Sequence, residues 1–225
     1  MEDYLIRVMT TNKEIRALAV DATNTVEKAR KMHNTTAVAT AALGRGLAGG
    51  ALISSLVKSG EEISLIIRGN GPLKKIVVEG NQKGEVRGYV GNPNVALKLN
   101  NSKKLDIASA IGKGELVIRK NYFMKDPYEG RVNLISGEIG EDLSYYFTKS
   151  EQTPSSVGLG VLVDKDQSVK AAGGFIIQLL PDPSDETIDQ LEENIAKINS
   201  LSKLIDKGKK PEDCLLYTSP SPRDS

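Results

Sequence analysis

The chain has 225 residues, 30 basic against 29 acidic, a net charge of +1 and 4% aromatic residues. A near-neutral balance argues against a polyanion-binding domain, which normally carries a basic excess. The length fits one large domain or one and a half ordinary ones, and a globular part of about 180 residues buries roughly 70% of its unfolded surface. The sequence shows no run read as a membrane span, and MEDYLIRVMT lacks the basic-then-apolar pattern of a secretory signal. A cytoplasmic protein is the expectation.

In chain order, the start reads as a β-hairpin. Tyr4, Ile6 and Val8 alternate with Leu5, Arg7 and Met9, Thr11-Asn12 marks a turn, and Ile15, Ala17 and Ala19 alternate again. From Thr23 the period is helical, with Val26, Ala29, Arg30 and Met32 near one face and His33-Asn34 as the end. Thr36 to Val57 is a second helix, rich in Ala, Gly and Leu, whose one charge is Arg45 within its long apolar stretch. A helix apolar on most sides is normally buried. Glu61–Arg68, Leu73–Glu79 and Glu85–Val90 are strands separated by Gly69-Asn70-Gly71-Pro72 and 81–84, an antiparallel meander.

A polar loop at 91–104 leads to a short helix over 105–111, then to strands at 115–120 and 131–135 around a Tyr/Phe-bearing loop. The segment 139–151 is helical, with Leu143, Tyr146 and Phe147 on one side and Glu141 and Asp142 in its first turn, where acids suit the helix dipole. A hairpin, 157–163 with 169–180, follows. Pro181-Asp182-Pro183 is a stop, Ser184 an N-cap, and Ile188, Leu191, Ile195, Ile198, Leu201 and Ile205 recur at steps of three or four as a narrow apolar stripe, with Gly208 as C-cap. The expected fold class is therefore α+β, with mixed, mostly antiparallel sheets packed with helices over 1–181 and a helical linker arm over 182–213.

The sole cysteine, Cys214, lies in CLLYTSPSPRD (214–224), which reads as the translation of a transposase sequencing adapter. On that reading 214–225 is a non-native tail, the native sequence stops at Asp213 without a cysteine, and the reading frame is truncated.

No constellation nominates catalysis. Gly44-Arg45-Gly46-Leu47-Ala48-Gly49-Gly50 lacks the Gly-Lys-Ser/Thr ending of a phosphate loop and follows no strand, so its glycines are read as allowing close packing. His33, the one histidine, cannot hold zinc without cysteines or carboxylates. Glu138, Glu141 and Asp142 precede a helix, where a dipole role explains them. Ser155-Ser156 follows Pro154, reads as loop and lacks the Gly-x-Ser-x-Gly of a nucleophile elbow. Lys74, Lys75, Lys83 and Arg87 lie on neighbouring strands, but aromatics are too few for a base-stacking platform. The arm stripe is different. Six apolar side chains give roughly 9–18 kcal/mol of gross burial at ~1.5–3 kcal/mol each, and ordering the chain cancels much of it at about 1–2 kcal/mol per residue. An element balanced that closely is releasable.

Several motifs carry a family resemblance. They are Ala41-Ala42-Leu43-Gly44-Arg45, Gly69-Asn70-Gly71-Pro72, Lys83-Gly84-Glu85-Val86-Arg87 and Tyr145-Tyr146. The segments SEQTPSSVG (150–158) and AAGGFIIQLLP (171–181) are the most specific. Over 1–213 the chain resembles the redox-regulated 33 kDa chaperonin family of bacterial heat-shock holdases. The resemblance implies an ATP-independent, non-enzymatic chaperone, activated by oxidative stress, that binds unfolding client proteins and tends to dimerise when active. It implies a helical linker and a C-terminal zinc domain with four cysteines, as Cys-x-Cys and Cys-x-x-Cys. None of those cysteines is present here, so no cofactor is expected in this chain and zinc belongs to the absent domain. Ile188, Leu191, Ile195 and Ile198 are the expected client contacts, with partners limited to unfolded proteins and a second copy, and neither membrane nor nucleic acid. Two rivals make different demands. A small-ligand enzyme needs a deep polar pocket near Glu138 or Arg45, and an RNA-binding module needs the strand lysines free and binding that falls steeply with salt.

Overall fold

A computed structural model describes residues 2–96, 98–101, 104–121 and 127–196. The elements run β1 (Tyr4–Met9), β2 (Ile15–Asp21), α1 (Thr23–His33), α2 (Ala37–Ser54), β3 (Glu62–Gly69), β4 (Lys75–Asn81), β5 (Val86–Val90), α3 (Ile107–Ile111), β6 (Gly114–Asn121), β7 (Tyr128–Asn133), α4 (Gly140–Ser150), β8 (Ser155–Val163), β9 (Val169–Leu179) and α5 (Asp185–Ala196). The strands form a four-stranded sheet ordered β1-β2-β9-β8 and a five-stranded sheet ordered β5-β4-β3-β6-β7. Every described pairing of named strands is antiparallel, so the α+β reading holds and the sheets are not mixed.

Helix α2 is the axis of the main core. Sixteen of its residues are buried, and its glycines mark the closest approaches. A Cβ on Gly44 would stand 2.6 Å from Val26 Cγ1 and 2.8 Å from Val161 Cγ2, and one on Gly50 would stand 2.5 Å from Val78 Cγ1. The Gly-rich run is thus a packing surface facing α1, β8 and β4. By length and composition α2 is long and apolar enough to cross a bilayer, against the expectation of no such run, but it lies buried within the protein.

Two local departures from the sequence reading have physical causes. Ser155 and Ser156 are strand residues, not loop. They pair with Gln178 and Ile177, and the Ser155 hydroxyl both donates to the Thr153 carbonyl (2.9 Å) and accepts from the Gln178 amide (3.0 Å), so β8 begins at Ser155, directly after Pro154. The short helix starts at Ile107 because Leu105 is used in a bridge to Leu99, and Asp106 caps it by accepting the Ser109 N–H at 3.0 Å.

Glu27 ties α1 to β9. Its carboxylate takes both Arg30 Nε and Nη2 at 2.8 Å and the Val169 N–H at 2.9 Å, with Lys31 at 3.3 Å. The Arg30 hydrogen bonds chiefly hold its pKa down at about 2 against an ordinary 4.5. A depressed carboxylate pKa stabilises the fold fully above about 4.5, and that contribution is lost as pH falls through about 2. Glu27→Gln should therefore cost about 1–2 kcal/mol at pH 7. In urea titrations the gap between wild type and variant should narrow steadily from pH 5 to pH 2. A gap independent of pH would contradict the assignment.

Candidate functional site

β2 and β9 are apolar on both faces. Along IRALAVD the residues Leu18 and Val20 enter the main core, while Ile15, Ala17 and Ala19 point the other way and are also buried. A strand apolar on both sides needs cover on both. On the second face the register sets Ile15 beside Leu179, Ala17 beside Ile177 and Ala19 beside Phe175. Phe175 lies across Gly158 of β8, where a Cβ would stand 2.5 Å from the ring. Glycine there is what leaves room for the ring.

The cover is α5. Leu191 is 5% exposed and enters a small cluster with Ile15, Ala17, Ala19, Phe175 and Ile177, separate from the main core, with Ile6, Leu179 and Ile195 packed around it. Of the four residues nominated from the stripe, Leu191 is buried in this cluster, Ile195 is half-buried against it, and Ile188 is half-buried. Ile198 lies outside the described residues, as do Leu201, Ile205 and Gly208. The other flank of α5 carries exposed Asp185, Glu186, Asp189, Glu192 and Glu193, an arrangement that keeps the docked arm wet on its outside.

The start of the arm is held by Glu14, from the turn between β1 and β2. The Ser184 hydroxyl lies 3.0 Å from the Glu14 carboxylate and 2.9 Å from the Thr187 hydroxyl, and the Thr187 hydroxyl also donates to Glu14. The Leu180 N–H donates to the Glu14 carbonyl at 2.8 Å. The Thr187 hydrogen bond first, then those from Ser184, hold the Glu14 pKa below its ordinary value. This contribution is present above the ordinary glutamate pKa and weakens as pH falls through the carboxylate range. Sequence reasoning found Ser184 but missed Glu14 and the whole sheet face. The available signal was the run of apolar residues at both parities in 15–20 and 171–177, which demanded a second cover.

The other candidates resolve into structure. Arg45 pairs with the Glu138 carboxylate and donates to the Glu138 carbonyl at 3.2 Å. Asp142 is fully buried and accepts the N–H groups of Ile135 (2.8 Å), Ser136 (3.0 Å) and Ile139 (3.0 Å), so it organises the loop before α4 besides any dipole role, while Glu141 is exposed. Clefts of about 270 and 140 Å³ are lined by Glu62, Glu79, Glu85 and Arg87 with their neighbours, and by Ile53, Leu56, Lys120 and Phe147 with theirs; neither includes Arg45 or Glu138. Lys74, Lys75, Lys83 and Arg87 are exposed, but Arg87 pairs with Glu79 at 2.7 Å and Lys75 stands over the Tyr89 ring at 5.3 Å. His33 sits in the last turn of α1. Among the described residues no group of three or more His, Cys, Asp or Glu side chains could hold a metal ion.

The site is thus an apolar sheet face of an α+β domain, covered by a helix that packs on it through Leu191 and Ile195, and the family of the chain comes from comparison with known proteins. The model of the Hsp33 protein family matches residues 3–219. The 33 kDa chaperonin of Bacillus licheniformis is 46% identical over 214 residues, 95% of this chain and 74% of that protein. That of Geobacter sulfurreducens is 50% identical over 216 residues, 96% of this chain and 71% of that protein. The crystal structure of the 33 kDa chaperonin from Thermotoga maritima superposes with a TM-score of 0.91 at 40% identity, over 96% of this chain and 74% of that one. The chain belongs to the Hsp33 family and is a molecular chaperone.

Proposed function

We propose that the face formed by Ile15, Ala17, Ala19, Phe175 and Ile177, together with Ile188, Leu191 and Ile195 of the arm and Ile198 beyond the described residues, is the client-binding surface of an ATP-independent holdase, and that the arm occludes it at rest. The observation that carries this is the separation of the Leu191 cluster from the main core. The described part of the arm can leave without opening the fold, because among the described residues no buried residue of the main core belongs to it. Docking is weak. Burial of Leu191 contributes about 1.5–3 kcal/mol and the half-buried isoleucines less, while an isolated helix of this length is marginal in water. Undocking therefore unfolds the arm and exposes apolar surface on both partners.

In this reading residues 1–181 are the client-binding core and 182–213 the linker. Oxidative activation would act through the four-cysteine zinc domain that the resemblance implies; with one cysteine this chain's own residues cannot hold that zinc, which would supply folding free energy to such a domain and so keep the linker docked. The protein is cytoplasmic and non-catalytic, and dimerises when active. A photo-crosslinking residue placed at Ile177 should capture a thermally unfolding client without added nucleotide, and the yield should rise when the arm is destabilised. Absence of capture, or capture that needs ATP, would sink the proposal.

A further inference from the structure

The two edges of the four-stranded sheet are treated differently. At β8, α4 lies alongside, the Ser144 hydroxyl takes the Val157 N–H at 2.9 Å, and Gly140 comes so near that a Cβ would stand 3.0 Å from the Val157 carbonyl oxygen. At β1 no such cover is seen among the described residues. The Thr10 N–H bonds the Ile15 carbonyl at 3.0 Å, which fixes the phase of the β1–β2 ladder. Tyr4, Ile6 and Val8 then bond β2, and the N–H and C=O groups of Leu5, Arg7 and Met9 point away from it. Among the described residues those six groups have no partner. β1 contains no proline or bulge and only one charge, whereas natural edges are normally blunted by such devices.

The edge is continuous with the arm-covered face. Ile6 packs on the Leu191 cluster, and Val8, two residues on and 41% exposed, lies on the same face. We propose that β1 is a strand-addition site, where an extended, apolar segment of an unfolded client pairs with the backbone of Leu5, Arg7 and Met9 while its alternate side chains reach the face vacated by α5. This rests on the reading of that face as the client surface. A client segment is favoured over a second copy of β1. The centred antiparallel register that sets Leu5 against Met9 also sets Arg7 against Arg7, and like charges directly opposite are unfavourable.

The test is amide exchange on the full chain carrying Leu191→Ala, with a capped eight-residue peptide alternating valine and threonine. Binding should slow the Leu5, Arg7 and Met9 amides about tenfold and leave those of Tyr4, Ile6 and Val8, already in the ladder, unchanged. Arg7→Pro deletes one outward N–H and spares the ladder; it should weaken peptide binding about tenfold. Should that variant fail to fold, the exchange pattern decides alone. Peptide bound with the three amides unchanged would overturn strand addition and leave the client face standing. Protection that grows with protein concentration without peptide would assign the edge to a second copy and overturn it as well. No peptide binding to the open chain would remove both readings together.

Discussion

Replacing Leu191 with aspartate is expected to free the arm while leaving the domain folded. Leu191 is the one buried apolar side chain that the described part of α5 contributes, and truncating such a residue costs about 2–5 kcal/mol even without introducing charge. An unpaired carboxylate among Phe175, Ile177 and Ile15 adds a desolvation cost of several kcal/mol. Both exceed a docking free energy of a few kcal/mol. Amides of α5 should then exchange at near-unfolded rates, proteases should cut between Pro183 and Ala196, and the chain should hold clients without oxidant. The main-core melting transition should move little, since among the described residues none of the main-core cluster belongs to the arm. A large fall in the global transition would show that the arm is an ordinary part of the core.

Asp142→Ala is expected to do the opposite, weakening the core and sparing the arm. Three backbone N–H groups lose their acceptor, two of them bonded to Oδ1 and one to Oδ2. Leaving a buried donor unpaired costs about 1–3 kcal/mol; the Ile139 N–H is buried and those of Ile135 and Ser136 are part-buried and cost less, so a total of roughly 2–5 kcal/mol is expected. The carboxylate also holds Ile139 at φ 63°, a conformation that a β-branched residue adopts only under constraint. Asp142→Asn keeps an oxygen for Ile135 and Ser136 but loses the one for Ile139, so it should fall between wild type and alanine. Urea midpoints rank the three. Equal midpoints would mean that water replaces the carboxylate freely.

The sequence was legible where one physical signal dominated. Period-2 alternation set the hairpins, the Ala/Gly run with Arg45 as its one charge set α2 as a buried helix, and the proline stop before Ser184 set the start of the arm within a residue of Asp185. Three features were not legible, each for its own reason. Glu14 meets Ser184 and Thr187 across some 170 positions of chain, and nothing local to the turn marks it. Asp142 looked like a dipole residue because its neighbour Glu141 is one by position; its burial depends on how the 135–139 loop folds over it. The second face of β2 was written in the residues Ile15, Ala17 and Ala19, and with Leu18 and Val20 apolar on the other parity a cover on both sides was demanded, but which element supplies it is not written in the strand.

The central claim is that client binding is limited by the population of the open arm. When a binding-competent state is only partly populated, the apparent Kd equals the intrinsic Kd divided by that fraction. The direct measurement is paired: the open fraction from α5 amide exchange and the Kd for one unfolded client, across wild type, Leu191→Ala, Leu191→Asp and Glu14→Ala. The account predicts that the apparent Kd falls in inverse proportion to the open fraction until the arm is mostly open, then levels off. A Kd that stays constant while the open fraction changes would contradict it.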